Sequence, residues 1–273
     1  MTGKIAIDLK DVQKTLLLPL WGRAVETRQT TPRLVDETAA RIIESIDYDF
    51  STISSNINPL TRYAWIARSI HFDRTIRRFL ERHPHGTVVN IGCGLDTTFE
   101  RTDNGTLRWY DLDLPDVISL RRNFIEESER RTFIACSVLD ESWTHHLAAD
   151  RPVMFLAAGV LYYFEEPEVK KLFNRLAGLF PGCEIIFDST SPLGVRVANQ
   201  VVIKAGGMDE GSVLRWGLRR AKDLLSWDVR IKVLEEYPMF RFMRKGLTLK
   251  GKLTTLESDL LRIMSIIHLR LGP

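Results

Sequence analysis

Two glycines and one acidic residue carry the chemistry that this sequence suggests. Gly92 and Gly94 follow the apolar, β-branched run 87–91, and Asp113 ends a second apolar run 21 positions after Gly92. Glycines there let the backbone turn sharply and approach a ligand, and a carboxylate at the tip of the next strand can accept hydrogen bonds from two ribose hydroxyls. The spacing predicts a nucleoside-binding βαβ unit.

The residues after the two glycines narrow the class of ligand. A third glycine, which dinucleotide sites use to seat a pyrophosphate, is missing, because position 97 is threonine with Asp96 before it. A carboxylate there would repel a diphosphate but would tolerate a cationic nucleoside without phosphates. S-adenosylmethionine is such a ligand. Asp96 could equally serve only to cap the first helix of the core.

Alternating strand and helix patterns follow from residue 87 onward, which favours a mostly parallel sheet covered on both faces. Pro167 begins a helix that has one apolar face. The predicted strands are 87–91, 107–112, 132–136, 153–158 and 184–187, followed by 229–237 and 263–271, which we expect to pair as the final edge of the sheet.

The fold predicted from this pattern is α/β in one domain, residues 1–273. Residues 1–83 are expected to form a helical cap, with helices near 36–46 and 60–81, and residues 84–190 the cofactor-binding core. Residues 191–225, which include Gly206, Gly207 and Gly211, resemble a helical insertion that acts as a lid over the substrate. Residues 226–273 complete the sheet.

Composition indicates an ordinary globular protein. The chain has 273 residues, 44% hydrophobic content and a net charge of +3. Its arginine pairs, among them Arg121-Arg122 and Arg130-Arg131, sit beside acidic residues and are expected mostly on solvated faces. We expect no nucleic-acid partner, no metal or disulfide framework from three widely spaced cysteines, and no signal peptide or apolar run of ~18 residues. A cytoplasmic location fits best, and oligomeric state stays open.

Five sequence blocks resemble the leucine carboxyl methyltransferase family, especially its O-methyltransferases of polyketide tailoring. The blocks are residues 15–24, 67–73, 88–101, 111–115 and 158–164. A lone Gly-x-Gly would be a weak signal, but these blocks in this order are a strong one, and the resemblance runs over nearly the whole chain. The resemblance implies a class I S-adenosylmethionine-dependent methyltransferase, with a Rossmann-like seven-stranded sheet whose last strand is antiparallel.

The resemblance also implies roles for individual residues. Arg68 would bind the carboxylate of the cofactor's methionine part, Gly92 would lie under that part, and Asp113 would bind the ribose. Asp111 is the alternative ribose ligand, and Asp113 could instead cap the following helix. Arg23 falls near a position that approaches the cofactor carboxylate in relatives. The remaining predicted cofactor contacts are Cys93, Gly94, Asp96, Leu114, Ser137, Val138 and Ala158.

Two departures from the family pattern bear on the cofactor site. Relatives commonly have Ala-Asp-Leu after the third strand, whereas this chain has Cys136-Ser137-Val138. Ser137 still offers an oxygen, although a weaker acceptor than a carboxylate. Relatives often have Ala-Glu-Gly after the fourth strand, whereas this chain has Ala157-Ala158-Gly159. The second change argues against the branch that modifies protein phosphatases.

Catalysis by methyl transfer requires alignment more than acid–base chemistry, because it is an in-line displacement. A carboxylic acid acceptor with a pKa of ~4 is already ionised, while a phenol with a pKa of ~10 gains from a base. Tyr162, Tyr163 and Asp188 are weak candidates beyond the carboxyl ends of strands four and five. His71 and His268 are expected to be structural. The sequence thus names no firm general base.

The sequence predicts an O-methyltransferase acting on a carboxylate or phenolic oxygen of a small polyketide-like or aromatic acceptor. Two alternatives stay open at this point. A non-catalytic sensor or scaffold would bind S-adenosylmethionine without turnover, as Ser137 and Ala158 make conceivable. A nicotinamide-dependent oxidoreductase on a similar sheet is disfavoured by the missing third glycine.

Overall fold

A computed structural model describes residues 5–6, 11–51, 57–147, 150–204 and 213–272 of the chain. Within the described residues, the main sheet is preceded by the helices α1 (Asp11–Thr27), α2 (Glu37–Ser45) and α3 (Pro59–Arg82). Asp36 caps α2 by accepting a hydrogen bond from the Ala39 amide, and Asn58 caps α3 ahead of the proline. Two short parallel strands, β1 (Ile5–Ala6) and β2 (Ile46–Asp47), pair beside them.

A seven-stranded sheet forms the centre of the molecule, in the order β5-β4-β3-β6-β7-β9-β8. Among the strands described, β9 runs opposite to the other six. The seven strands are β3 (Thr87–Ile91), β4 (Arg108–Asp113), β5 (Arg131–Ala135), β6 (Val153–Ala157), β7 (Cys183–Thr190), β8 (Ile231–Pro238) and β9 (Met264–Leu271).

Helices cover both faces of this sheet. They are α4 (Thr98–Thr102), α5 (Pro115–Arg121), α6 (Glu166–Leu179), α7 (Pro192–Lys204) and α8 (Leu249–Leu260), with short 3₁₀ helices at Ser142–His146, Leu161–Tyr163 and Ala221–Ser226. Successive side chains of a strand point to opposite faces, so Val89 packs in the cluster that includes α6 and Val88 in the cluster that includes α3. A third cluster joins α1 and α2 to the residues after β3.

The predicted fold is confirmed: the sheet has seven strands, is mostly parallel, and contains one antiparallel strand, β9. The two terminal strands pair with each other as expected, and β8 forms the edge. Helix α8, which lies between them, was not predicted. The insertion expected at 191–225 begins with α7, while Gly206, Gly207 and Gly211 lie outside the described residues. Its lid function and the domain boundaries stay predictions.

No helix in the described parts of the chain is both long enough and apolar enough to span a lipid bilayer.

Candidate active site

Loops that follow β3, β4, β6 and β7 meet at one edge of the sheet, since parallel strands end on the same side. Ligands of open α/β sheets bind beyond this carboxyl edge. The loops carry the predicted residues: Gly92 to Asp96 after β3, Asp113 at the end of β4, Ala158 to Tyr163 after β6, and Asp188 near the end of β7. The topology therefore brings together groups that are distant in sequence.

The loop after β3 depends on its two glycines. Gly92 and Gly94 have φ of 63° and 46°, a region that favours glycine. A Cβ at Gly92 would lie 2.5 Å from Cγ2 of Val160, and one at Gly94 would lie 3.0 Å from Cδ2 of Leu16. The loop therefore packs closely against two other segments and keeps its backbone available at the edge.

Asp113 lies beside this loop with both carboxylate oxygens directed by backbone amides. Oδ2 accepts a hydrogen bond from the Gly94 amide at 2.7 Å, and Oδ1 accepts one from the Leu114 amide at 2.8 Å. Burial raises the pKa of Asp113, although these two hydrogen bonds act in the opposite direction. The side chain of Leu114 is 48% exposed at the mouth of the same site.

Asp111, the alternative ribose ligand, lies two residues before Asp113 on β4, in a wholly buried position further inside the sheet. Its carboxylate accepts hydrogen bonds from Asn90, Trp109, Arg121 and Arg131. Asp111 has no exposed surface and accepts from four donors, so its carboxylate is out of reach of a ligand. This placement favours Asp113 as the carboxylate that a ribose can reach.

Asp96 lies at the start of α4, where the capping alternative placed it, and its direct role toward a ligand stays a prediction. Its Oδ1 accepts a hydrogen bond from the Thr98 amide at 2.8 Å, at the start of α4, and its side chain keeps 18% exposure. Burial opposes its ionisation, but the charges of Arg23 and Arg101 outweigh burial and lower the pKa of Asp96 to about 2. A negative charge at this loop is therefore stable near neutral pH.

Arg23 is buried and braces the loop from the side of the N-terminal helices. Its Nε donates to Oδ2 of Asp36 at 2.9 Å, and its Nη2 approaches Leu95 O and Thr97 Oγ1 at 3.4 Å. Because only 3% of Arg23 is exposed, most of its hydrogen-bonding capacity serves the protein. Its approach to a cofactor carboxylate stays a prediction.

Arg68, Asp188 and Tyr162, predicted separately, form one cluster with Gly159. Nη1 of Arg68 donates to Oδ2 of Asp188 at 3.0 Å, and the Gly159 amide donates to Oδ1 of Asp188 at 2.6 Å. Gly159 has a φ of 78°, and a Cβ there would lie 2.6 Å from Arg68 Nη1 and 3.1 Å from the Tyr162 hydroxyl. Glycine at 159 therefore gives the guanidinium and the phenol access to the loop.

Charge and burial set the protonation states in this cluster. Burial opposes the charge of Arg68, but the Asp188 carboxylate outweighs it and raises the pKa of Arg68 further. Burial and Asp188 raise the pKa of Tyr162 well above its usual value, and burial raises the pKa of Tyr163 as well. Both phenols are neutral at physiological pH. They can donate a hydrogen bond but cannot act as bases there.

Comparison with known proteins adds an independent observation. The family model for leucine carboxyl methyltransferase matches residues 17–177, more than half of the chain. This chain belongs to the leucine carboxyl methyltransferase family. It is therefore an S-adenosylmethionine-dependent methyltransferase, and the family resemblance found in the sequence is confirmed.

Two relatives are similar to this chain over most of its length. The tetracenomycin polyketide synthesis O-methyltransferase TcmP of Streptomyces glaucescens is 32% identical, with 85% of each chain covered. The S-adenosyl-L-methionine-dependent methyltransferase dpfgK of Gibberella zeae is 28% identical, with 86% of each covered.

Two solved structures share the fold. A putative methyltransferase from Thermobifida fusca has a TM-score of 0.60 at 15% identity, with 92% of this chain and 94% of that chain covered. A DUF574 family protein from Streptomyces avermitilis has a TM-score of 0.59 at 12% identity, with 93% and 97% covered.

The remaining predicted cofactor residues of the methyltransferase lie in and around the same edge. Ser137 is partly buried after β5, and its hydroxyl accepts from the Leu139 amide at 3.3 Å. Val138 is buried in the main core, Ala158 packs partly buried against the α3 side, and Cys93 is buried with a pKa raised by that burial. The structure places these residues without assigning them a ligand.

The two histidines set aside in the sequence have structural partners. His71 is buried, with Nε2 2.9 Å from the Met239 carbonyl oxygen, and burial lowers its pKa. Nε2 of His268 lies 2.9 Å from Oε2 of Glu184, near the start of β7 and thus away from the carboxyl edge. The structural role predicted for both is confirmed by these contacts.

A buried arginine behind the glycine loop of the methyltransferase was missed. Nη1 of Arg121 donates to the Gly94 carbonyl at 2.8 Å, and Nη2 donates to the Asp96 carbonyl at 2.8 Å. The expectation of solvated faces is wrong for Arg121 and Arg131, whose side chains are 0% and 3% exposed. The sequence did contain one indication that these arginines are buried. Asp111 lies in a predicted buried strand, and a buried charge requires a partner.

Proposed function

We propose that this methyltransferase transfers a methyl group to an oxygen of a small acidic aromatic or polyketide-like acceptor, and that a carboxylate is the preferred acceptor group. The observation that carries the proposal is the cluster at the carboxyl edge, where Arg68 and two neutral phenols surround the Gly159 loop and no described side chain there serves as a ready base. The relation to TcmP supports a polyketide-like acceptor.

The residues present fit S-adenosylmethionine. Gly92 and Gly94 adopt the positive φ that turns the loop sharply at the carboxyl edge, and Asp113 presents a carboxylate already oriented by two amides. We assign the ribose hydroxyls to Asp113 and the methionine carboxylate to Arg68, which an arginine can meet with a bidentate fork. The bound cofactor supplies an electrophilic methyl group on a sulfonium.

Further cofactor contacts are proposed for residues at the same edge. Gly92 lies beneath the methionine part, while Leu114, Ser137 and Val138 flank the adenine. Arg23 and Asp96 set the charge of the loop, which is compatible with a cation and unfavourable to a diphosphate. Cys93, Gly94 and Ala158 complete this set through close backbone approach.

The acceptor group follows from the protonation states. Tyr162 and Tyr163 have raised pKa values, so they can hold an acceptor by donating hydrogen bonds but cannot remove a proton from a phenol near neutral pH. Asp188 already accepts from Arg68 and the Gly159 amide. An acceptor that arrives ionised needs no base, and alignment supplies most of the rate. This condition favours carboxylates over ordinary phenols.

A binding experiment followed by a turnover experiment tests the proposal. Isothermal titration should show micromolar binding of S-adenosylmethionine and S-adenosylhomocysteine and none of NAD. A panel of aromatic and polyketide-like acids, each paired with the phenol that lacks the carboxyl group, should then show methyl transfer to the acids by mass spectrometry.

Three results would contradict parts of the proposal. Binding of NAD alone would support the oxidoreductase alternative. Binding of S-adenosylmethionine without turnover of any acceptor would support the sensor alternative. Faster methylation of the phenols than of the matched acids would overturn the choice of acceptor group.

A further inference from the structure

Helix α8 presents its apolar face to solvent. Its leucines Leu249, Leu253, Leu256 and Leu260 are 76%, 59%, 44% and 75% exposed. The residues that it turns toward the protein are polar: Thr255, Ser258 and Asp259 are all buried. This is the reverse of the amphipathic arrangement that a helix on the surface of a monomer usually has.

Polar contacts hold α8 in this orientation. The Asp259 carboxylate accepts a hydrogen bond from the Phe240 amide at 3.1 Å and forms an ion pair with Arg244. Thr248 caps the helix by accepting from the Gly251 amide at 3.2 Å. Rolling the leucines inward would break these contacts and bury Lys or Glu side chains. The exposed leucines are therefore a stable feature of the folded chain.

The spacing of the four leucines is that of a two-helix seam. They recur at intervals of four, three and four residues, which places them within an arc of about 60° on the helix. This is the heptad pattern by which one helix packs its leucines against those of another. Since burying leucine side chains removes apolar surface from water, a helix with this face is stabilised by a partner that covers it.

The charges beside the seam select the partner and its direction. Lys250 and Glu257 lie on one flank of the leucines, and Lys252 lies on the other flank with Asp259. A second copy of α8 in antiparallel orientation brings Lys250 of each chain beside Glu257 of the other. A parallel copy brings Lys250 of each chain beside Lys252 of the other, which is repulsive, while Asp259 is buried against Arg244.

We propose that α8 is the interface of a symmetric homodimer in which the two copies of the helix pack antiparallel through their leucines. The surface is self-complementary in both shape and charge, as a two-fold contact requires. Leu193 and Leu261, 49% and 55% exposed, line one cleft at the end of α8 together with three arginines. A contact this short is expected to bury less than the roughly 1,200 Å² of a standard interface, so the dimer should dissociate when the protein is diluted.

Sedimentation equilibrium over a range of protein concentrations tests the proposal on the full chain. The wild type should pass from monomer to dimer as concentration rises. The double variant Leu253→Glu/Leu256→Glu should raise the dimer dissociation constant at least tenfold. The matched control Leu179→Glu/Leu225→Glu, at leucines that are 49% and 45% exposed elsewhere on the surface, should leave it unchanged. Circular dichroism verifies that each variant is folded.

A charge exchange tests the antiparallel direction separately. Lys250→Glu and Glu257→Lys should each weaken the dimer, because each places like charges together, and the two combined should restore it. A parallel dimer would instead be strengthened by Lys250→Glu.

Two results would overturn the proposal. One is a wild type that stays monomeric at the highest concentration, in which case cosedimentation with anionic vesicles would show whether a lipid surface covers α8. The other is a dimer that is indifferent to the leucine substitutions.

Discussion

Two arginine–carboxylate pairs flank the glycine loop, and they differ in burial rather than in geometry. Arg121 and Asp111 lie behind the loop with an N–O distance of 3.0 Å and no exposed side-chain surface. Arg68 and Asp188 lie at its open side with the same distance, but their side chains are 12% and 8% exposed. One pair is sealed inside the protein, and the other borders the proposed cofactor site.

Burial decides what each pair can do. A fully buried ion cannot exchange its partner without leaving an uncompensated charge, so Arg121 fixes the carbonyls of Gly94 and Asp96 permanently. Arg68 lies where a ligand can approach, so a ligand carboxylate can share or replace Asp188. The same chemical pair thus serves as scaffold in one place and as binding group in the other. Four predictions test this difference between the buried side and the open side of the loop.

The largest effect is expected from Arg121→Met, which leaves Asp111 buried with reduced compensation. We expect a loss of about 3–5 kcal/mol in the free energy of unfolding, measured by urea denaturation. Arg122→Met is the control, because the neighbouring side chain is 51% exposed in a surface ion pair worth less than about 1 kcal/mol. Equal losses in both variants would show that Arg121 is not a scaffold.

Asp113→Ala should weaken cofactor binding by roughly 2 kcal/mol or more, because two ribose hydroxyls would lose a charged partner. Isothermal titration with S-adenosylhomocysteine measures this loss. Asp150→Ala is the control, since that carboxylate precedes β6 at the opposite edge and is 70% exposed. Unchanged affinity in Asp113→Ala would place the ribose elsewhere.

Asp96 should give the loop a stability that depends on pH. The pKa of Asp96 is about 2 in the folded state and near ~4 in the unfolded state. The ionised carboxylate therefore stabilises the fold fully above pH ~4, and this contribution is lost as the pH falls from ~4 toward 2. The wild type should exceed Asp96→Asn by on the order of 2 kcal/mol at pH ~7, with the difference shrinking below pH ~4. A difference that is constant across urea titrations at several pH values would refute this origin.

Arg68→Ala should weaken S-adenosylhomocysteine binding by about 1–2 kcal/mol, since the ligand loses one charge-assisted contact. 5'-Methylthioadenosine lacks the amino-acid carboxylate, so its affinity should hardly change. Arg78→Ala, on the same helix but exposed and paired with Glu235, controls for effects on α3. Equal losses for both ligands would indicate that Arg68 acts on the fold instead.

The sequence predicted the parts of the molecule that depend on local pattern. Apolar β-branched runs located the strands to within a few residues, and the helix expected near 36–46 is α2. The glycine loop was found because positive φ and close packing restrict those positions to glycine. These features depend on short-range rules that a single chain displays.

The missed features depend on long-range pairing. An arginine has the same appearance in sequence whether it is solvated or buried, so Arg121 could be assigned only once the fold showed Asp111 beside it. Nor could the pairing of Arg68 with Asp188 be read from residues 120 positions apart. The leucines of α8 have the spacing of an amphipathic helix, but that pattern ordinarily predicts a core face, so their exposure to solvent could not be predicted from the sequence.

The close packing of Val160 against Gly92 has a consequence for protein engineering. Val160 lies between the loop that would hold the cofactor and the wall that carries Tyr162, and a side chain at 92 would stand 2.5 Å from it. Under the proposed function, libraries that vary position 160 to change the acceptor range are therefore expected to disturb cofactor affinity as well. Tyr163, one turn further on and in contact with Tyr162 at a ring distance of 4.9 Å, is the better starting position for altering the acceptor range while leaving the cofactor loop intact.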